Sequence, residues 1–125
     1  MTGLLLDSHT LLWWALEPEE VAGHAAQVLR SVDRLVLSVA SIWELEIKAA
    51  RKKLEIPEDL WGDLSELGIE TLAITAFDAI TAGRLPRHHD DPFDRMIIAQ
   101  AINRGSTVVS RDPKFAWYDV FVLKP

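Results

Sequence analysis

The sequence contains no cysteine, which excludes disulfide bonds and thiolate metal ligands. It also has no apolar run near the roughly 20 residues that a membrane-spanning helix needs. The apolar residues Leu4–Leu6 have no basic residue before them and are followed at once by Asp7, unlike the pattern of a signal peptide. These absences predict a cytoplasmic protein that makes no contact with a membrane.

Basic residues are outnumbered, since 13 Lys and Arg face 19 Asp and Glu and give a net charge of −6. Proteins that coat nucleic acid need clustered basic residues, so DNA binding by this chain alone is not expected. A nuclease is not excluded, because bound divalent cations offset acidic charge and attract phosphate. The one dense basic run is typical of a solvated helix face, with an RNA contact as the alternative; it comprises Lys48, Arg51, Lys52 and Lys53.

The 125 residues contain no repeat, linker or low-complexity segment, which predicts a single domain over residues 1–125. Short β-like runs alternate with longer runs of helical periodicity. Strands are predicted at residues 3–6, 35–38, 70–74, 107–110 and 120–123. Helices are predicted at residues 10–16, 19–32, 41–53, 57–68, 75–83 and 92–104. This alternation predicts an α/β fold with a mainly parallel central sheet of about five strands and helices on both faces.

Residues 88–101 place several acids at the start of an apolar helix. Asp91 suits the N-cap position and Pro92 suits the first helical position. Asp94 falls three residues after the cap, where a carboxylate also interacts favourably with unpaired backbone N–H groups. Capping alone therefore explains Asp94 unless other acids converge on the same place.

Three further acids are predicted to lie at the same edge of the sheet. Asp7 ends the first strand, Glu44 lies in the first turn of the helix after the second strand, and Asp112 follows the strand at 107–110. The helix at 92–104 must run antiparallel to the sheet, so Asp94 belongs at the carboxyl edge too. Sites in such folds usually lie at this edge.

Each of these acids also has a structural interpretation. Asp7 is a possible helix cap and Asp112 a possible opening residue of a turn. Glu44 is a possible partner of Ser41 in a capping box, or of Lys48 one helical turn on. These interpretations do not explain why all the acids share one edge.

Two carboxylates about 5 Å apart repel by roughly 3 kcal/mol at an effective dielectric near 20. A bound divalent cation removes this cost, and oxygen ligands without cysteine suit Mg²⁺ or Mn²⁺. Such a centre activates a water molecule and stabilises charge on a phosphoryl group. The sequence therefore predicts a metal site formed by Asp7, Glu44, Asp94 and Asp112.

These residues resemble the PIN-domain ribonucleases, and most closely the VapC toxins of bacterial toxin–antitoxin pairs. The matching segments are residues 5–13, 38–44, 88–101 and 108–112, which follow one another in the family's order. The piece His-His-x-Asp-Pro-Phe-Asp-Arg, which begins at His88, is specific to one branch of the family.

The resemblance implies Mg²⁺- or Mn²⁺-dependent hydrolysis of single-stranded or looped RNA, with transfer RNA as one candidate, and no covalent intermediate. It implies that Asp7, Glu44, Asp94 and Asp112 are the catalytic and metal-binding residues. Asp7 and Asp94 are expected to bind directly, and the other two through water or a second ion. The resemblance also implies a homodimer. It implies inhibition by a VapB-type antitoxin whose C-terminal arm covers the site. Contact with DNA is expected only through this antitoxin.

Several polar residues near these acids have two interpretations. His88 and His89 order their loop or touch substrate, with the structural role favoured, and they are not a zinc pair because adjacent loop side chains rarely converge. Arg95 and Arg111 steady a phosphate or orient the carboxylates. Asp90 occupies a variable position of the motif. Capping and turn roles are favoured over contact with a phosphate or an acid for Ser38, Ser41 and Ser110.

Trp13 and Trp14 are adjacent on a short helix, so they cannot both face one core. One of them is expected either in a groove that receives an antitoxin helix or buried within the domain or its dimer. Trp43, Trp61 and Trp117 are predicted to belong to the core.

Two other classes of protein remain open from the residues. A receiver-type signalling module also places acids around Mg²⁺, but Asp7 lacks the adjacent acid expected there and no lysine ends a late strand. A catalytically weak PIN fold that regulates its own operon is the second. The RNA that is cut is not predicted, because surface shape and loops select it.

Overall fold

The computed structural model describes residues 3–125; residues 1 and 2 of the predicted domain lie outside the described residues. The strands are β1 (Leu4–Leu6), β2 (Leu35–Ser38), β3 (Ile69–Leu72), β4 (Thr107–Val109) and β5 (Val122–Leu123). They form one sheet in the order β3-β2-β1-β4-β5, and every neighbouring pair is parallel. The predicted parallel α/β fold is confirmed, and β1 lies at its centre.

Five α-helices connect and cover the strands. They are α1 (Ser8–Leu16), α2 (Gly23–Ser31), α3 (Val39–Ala50), α4 (Ala76–Arg84) and α5 (Pro92–Arg104). Two 3₁₀ helices span Pro18–Glu20 and Pro113–Trp117. Within residues 3–125, none of these helices is long and apolar enough to cross a membrane.

The bounds of α5 match the prediction because its capping residues are unambiguous. Asp91 Oδ1 accepts hydrogen bonds from the backbone N–H groups of Phe93 and Asp94, and Pro92 occupies the first helical position. Gly105 ends the helix in the left-handed conformation, with φ of 64°, which is costly for other residues.

The predicted helix over residues 57–68 is wrong. This segment forms successive turns, in which Leu60 N–H donates to Pro57 O and Asp63 N–H donates to both Asp59 O and Leu60 O. Leu60 and Leu64 are nevertheless buried. The helical spacing of Leu60 and Leu64 therefore shows which side of the segment is buried, but it does not show that the segment is a regular helix.

The core has two parts, one on each face of the sheet. Leu4 and Leu6 pack into one part with α1, α2 and α3, whereas Leu5 packs into the other with α5. This follows from the alternation of side chains along a strand. The helices on both faces are thus confirmed, and the carboxyl edge of the sheet between them stays open.

The core assignment of two tryptophans is wrong. Trp43 is 63% exposed and Trp117 is 52% exposed, while Trp61 is half-buried against the core. On α3 the buried side carries Ser41 and Glu44, so the intervening Trp43 points outward. Apolar character alone does not predict which side of a helix faces the sheet.

An ion pair between the buried Asp78 and the half-buried Arg104 fixes α4 against α5. Arg104 donates hydrogen bonds of 2.8 and 3.0 Å to the two carboxylate oxygens of Asp78, and Asn103 donates a third. Thr75 and Asp78 also form the capping box that starts α4. Burial alone raises the pKa of Asp78, but these hydrogen bonds outweigh burial and hold the pKa well below its usual range.

Candidate active site

A cavity of about 410 Å³ opens at the carboxyl edge of the sheet, where β1 and β4 lead towards the helices. Its lining combines several carboxylates with two basic side chains. The lining residues are Asp7, Ser8, His9, Trp13, Glu44, Lys48, Asp91, Asp94, Arg111 and Asp112. The structure thus brings all four predicted acids to one cavity from four separate segments.

Asp7 follows β1 and is 6% exposed. Its Oδ1 accepts a 2.8 Å hydrogen bond from the backbone N–H of Thr10, so the predicted capping role is confirmed. Its Oδ2 accepts a 2.5 Å hydrogen bond from the hydroxyl of Ser110. Both oxygens are therefore held in fixed positions at the floor of the cavity.

Ser110 also connects this floor to Asp112. The Ser110 hydroxyl oxygen accepts a 3.0 Å hydrogen bond from the backbone N–H of Asp112. Asp112 Oδ1 in turn caps the following 3₁₀ helix by accepting from Lys114 N–H at 2.9 Å. The turn role predicted for Asp112 is confirmed, and Ser110 contacts an acid in addition to its role in this turn.

Glu44 projects from α3, where Ser8 and Lys48 hold its two oxygens. The Ser8 hydroxyl donates a 2.6 Å hydrogen bond to Oε1, and Lys48 Nζ lies 3.5 Å from Oε2. The Lys48 pairing is confirmed, but the capping box with Ser41 is wrong. The helix begins earlier because Ser38 is the N-cap, which leaves the buried Ser41 hydroxyl without a hydrogen-bond partner among the described residues.

Asp94 lies at the start of α5, with Oδ2 2.7 Å from Nε2 of His89. Burial raises the pKa of Asp94 to about 6. The hydrogen bond from His89 opposes this rise, while the negative charges of Asp91 and Glu44 add to it. Burial and the neighbouring carboxylates together therefore disfavour the charged form of Asp94, and a bound cation would offset both effects.

Among the described residues, one compact group combines a histidine with two of these acids. One ligand atom each of His89, Asp94 and Asp112 lies within 4.8 Å of the others. Asp7 and Glu44 line the same cavity but stand outside this group. The neighbouring Asp90 points away, with its side chain 86% exposed and 3.7 Å from Arg87.

Arg95 does not perform either of the roles predicted for it. Its guanidinium is buried and donates hydrogen bonds of 2.8–3.1 Å to four backbone carbonyls. The acceptors are the carbonyl oxygens of Ala82, Leu85, Pro86 and His89. Arg95 therefore fixes the segment that places His89 beside Asp94, and Arg95 itself neither contacts an acid nor lines the cavity.

Arg111 lines the cavity and packs over an aromatic ring. Its guanidinium carbon is 4.0 Å from the ring centroid of Trp13, and its side chain donates to the backbone carbonyls of Pro125 and Glu20. Trp13 lines the cavity, and Trp14 packs instead beside Arg30. Both tryptophans are half-buried, so neither lies fully in the core.

Sequence reasoning missed Ser8 and the placement of His89 beside Asp94. Ser8 follows Asp7 directly, and its position in the first turn of α1 was the available clue that it faces the same edge. His88 differs from its neighbour, since its ring makes an edge contact with Tyr118 at 5.2 Å. The structural role favoured for the two histidines thus fits His88.

An all-parallel α/β domain with several carboxylates in one cavity at the carboxyl edge has the organisation of a metal-dependent phosphodiesterase site. The chain belongs to the PIN-domain family, whose model matches residues 4–120. The predicted resemblance is confirmed, and the receiver-type alternative is wrong.

Comparison with individual proteins agrees with this assignment. Ribonuclease VapC22 of Mycobacterium tuberculosis is 35% identical over 115 residues, which cover 90% of this chain and 88% of that protein. The DNA-bound VapBC structure from Salmonella typhimurium contains a chain with 20% identity and a TM-score of 0.72, with 99% and 98% of the two chains covered. For VapBC2 of Rickettsia felis bound to a promoter DNA fragment, the identity is 14%, the TM-score 0.71 and both coverages 97%. The two solved structures share the fold.

Proposed function

We propose that the chain is a divalent-metal-dependent endoribonuclease of the VapC type that works in the cytoplasm. The observation that carries the proposal is the convergence of Asp7, Glu44, Asp94 and Asp112 on one cavity in a PIN-domain chain. The 35% identity to a protein named as a ribonuclease supports RNA as the substrate class.

The four acids would hold Mg²⁺ or Mn²⁺, as the donor chemistry of the cavity fits a hard divalent cation. When bound, such an ion activates water and stabilises negative charge on the phosphoryl group. The raised pKa of Asp94 supports this assignment, because burial and the nearby negative charges of Asp91 and Glu44 disfavour its charged form until a cation binds. Direct binding by Asp7 and Asp94, with Glu44 and Asp112 acting through water or a second ion, is part of the proposal.

The remaining polar residues of the cavity have distinct tasks. Ser8 and Ser110 orient the carboxylates that they contact. Lys48 and Arg111 give the acidic cavity positive charge at which an RNA phosphate binds. Attack by water on the phosphorus, with departure of one RNA oxygen, requires no side-chain nucleophile in this arrangement.

The test is cleavage of total cellular RNA by the purified protein, with Mg²⁺ or Mn²⁺ and with EDTA. Cleavage should need the metal and fall at least 100-fold in Asp94→Asn. Asp90→Asn is the matched control, because Asp90 is exposed beside the same helix. Full activity of Asp94→Asn would overturn the proposal. If the wild type folds and binds its partner but cuts no RNA, the chain is instead a PIN-fold regulator.

A homodimer and a VapB-type antitoxin are the proposed partners. The two solved structures compared above are VapBC assemblies bound to DNA, which supports an antitoxin as the DNA-contacting component. Co-expression with the product of a short adjacent reading frame should yield a stable complex that no longer cuts RNA. Light scattering of the free protein should give twice the 14.1 kDa chain mass. A monomer at that mass would refute the dimer.

A further inference from the structure

We propose that His89 is a nitrogen ligand of the metal ion and makes the site prefer Mn²⁺ to Mg²⁺. This inference rests on the proposed metal-dependent function and concerns a residue outside the four acids. It starts from the compact group in which ligand atoms of His89, Asp94 and Asp112 lie within 4.8 Å of one another.

The spacing of His89 and Asp94 suits a single ion. Two ligand atoms on one ion with bonds of about 2.1 Å lie roughly 3 Å apart when adjacent and about 4.2 Å apart when opposite. Nε2 of His89 and Oδ2 of Asp94 are 2.7 Å apart. They would need to separate by only a few tenths of an ångström to bind one ion on adjacent positions.

The position of His89 is fixed by the backbone and does not depend on its contact with Asp94. Its carbonyl oxygen accepts hydrogen bonds from Arg95 and from the hydroxyl of Tyr118. Its side chain is only 11% exposed. The imidazole is therefore held at the metal-binding acids before an ion arrives, and little side-chain freedom is lost on binding.

The nature of the donor determines the preference. Mg²⁺ strongly favours oxygen ligands and keeps several waters. Mn²⁺ also takes oxygen ligands, but as a first-row transition-metal ion it accepts an imidazole nitrogen more readily than Mg²⁺ does, so the histidine adds affinity for Mn²⁺ and little for Mg²⁺. A site of carboxylates alone would not discriminate in this way.

The alternative is that His89 only donates a hydrogen bond that orients Asp94. His89→Gln separates the two roles, because a glutamine amide still donates to Asp94 but offers no imidazole nitrogen. His88→Gln and His9→Gln are matched controls. His88 is the adjacent residue packed on Tyr118, and His9 is a second histidine beside the acids, on the lining of the cavity.

The experiment measures Mn²⁺ and Mg²⁺ binding to the protein without RNA by calorimetry, together with pulsed EPR of bound Mn²⁺. The wild type should show ¹⁴N coupling to Mn²⁺. This coupling should disappear in His89→Gln and persist in both controls. In His89→Gln the Mn²⁺ dissociation constant should rise at least about 10-fold and the Mg²⁺ constant less than about threefold, whereas loss of a merely orienting contact typically weakens metal affinity about 10- to 100-fold without regard to the ion.

The outcomes separate this inference from the proposed function. Absence of ¹⁴N coupling in the wild type, or its survival in His89→Gln, would overturn the ligand role. Equal losses of Mn²⁺ and Mg²⁺ affinity would leave only the orienting role and also overturn it. Failure of the wild type to bind either ion would contradict the proposed metal-dependent function itself. If the variant does not fold, the wild-type spectrum still shows whether a nitrogen binds the ion, and the two control variants show whether His88 or His9 supplies it.

Discussion

Ser110 donates a hydrogen bond of 2.5 Å from its hydroxyl to Oδ2 of Asp7, which joins the carboxyl ends of β4 and β1. The same hydroxyl oxygen accepts from the backbone N–H of Asp112. One buried serine therefore sets the positions of two of the proposed metal-binding acids relative to each other.

Ser110→Ala should lower metal affinity and RNA cleavage about 10- to 100-fold, because residues that orient metal ligands typically have effects of this size. It should also destabilise the fold by about 1–3 kcal/mol, since the Asp112 N–H loses its acceptor. Calorimetric metal titration and a cleavage assay measure the first effect. Ser65→Ala is the control on an exposed serine; equal activity of the two variants would contradict the orienting role.

Asp94→Asn should abolish cleavage but stabilise the metal-free protein at neutral pH. The folded-state pKa of Asp94 is about 6, above its ordinary value of 3.8. Between these values the folded state binds more protons than the unfolded state, so the free energy of unfolding falls as pH rises through this window. The loss of stability is about 3 kcal/mol at most by pH 7.

Urea unfolding in EDTA at pH 5.0 and pH 7.5, both chosen around that window, measures this dependence. The free energy of unfolding of Asp94→Asn should change less between the two pH values than that of the wild type. With Mn²⁺ in place of EDTA, the wild type should be stabilised at the higher pH and the variant should not. An identical pH dependence of both proteins would show that the pKa of Asp94 is not raised in the folded state.

Asp78→Asn should destabilise the protein by about 1–3 kcal/mol, because it removes the charge partner of the Arg104 guanidinium, whose side chain is 29% exposed. The pKa of Asp78 is lowered in the folded state, so its effect on the pH dependence of stability is opposite to that of Asp94. The contribution of Asp78 to the free energy of unfolding is complete above the ordinary aspartate pKa and is lost as the pH falls towards the lowered pKa. Thermal unfolding measures the effect, with the exposed Asp33→Asn as a control that stays within about 0.5 kcal/mol.

Arg95→Lys should make residues 85–90 more mobile, although it preserves the positive charge of the side chain. An ammonium has three donors and no planar fork, so it cannot serve the four carbonyls that the guanidinium contacts. Amide hydrogen exchange in this segment should accelerate, and cleavage should fall as His89 and Asp94 lose their fixed positions. Arg87→Lys is the exposed control. Unchanged exchange in Arg95→Lys would show that the carbonyl contacts do not order the segment.

The sequence predicted an element well where its end residues fit only one position in a helix. The ends of α5 were predicted to the residue, because Asp91 suits the N-cap, Pro92 the first helical position and Gly105 the C-terminal end. The convergence of the acids followed from topology alone, since parallel strands end at one edge. The turns at 57–68 were not predicted, because the spacing of Leu60 and Leu64 gives the buried side of a segment and not its hydrogen bonds.

The side-chain contacts within the site were mostly beyond sequence reasoning. Arg95 lies beside Asp94 in the chain, yet a helix points neighbouring side chains about 100° apart, and the guanidinium turns to the segment before the helix. The exposure of Trp43 has the same cause. The contact of Ser8 with Glu44 joins residues 36 positions apart, which no local pattern reports.

Arg95 and the four carbonyl oxygens to which it donates all lie in the segment from Ala82 to Arg95. From outside this stretch, the hydroxyl of Tyr118 reaches the carbonyls of Pro86 and His89. The positions of His89 and Asp94 are thus set largely by neighbours in the chain, with little loop-closure entropy to overcome. Such a segment is suited to grafting as a unit. If it is placed on another PIN domain together with a tyrosine at the position of Tyr118, the new protein should gain the histidine and the proposed metal preference.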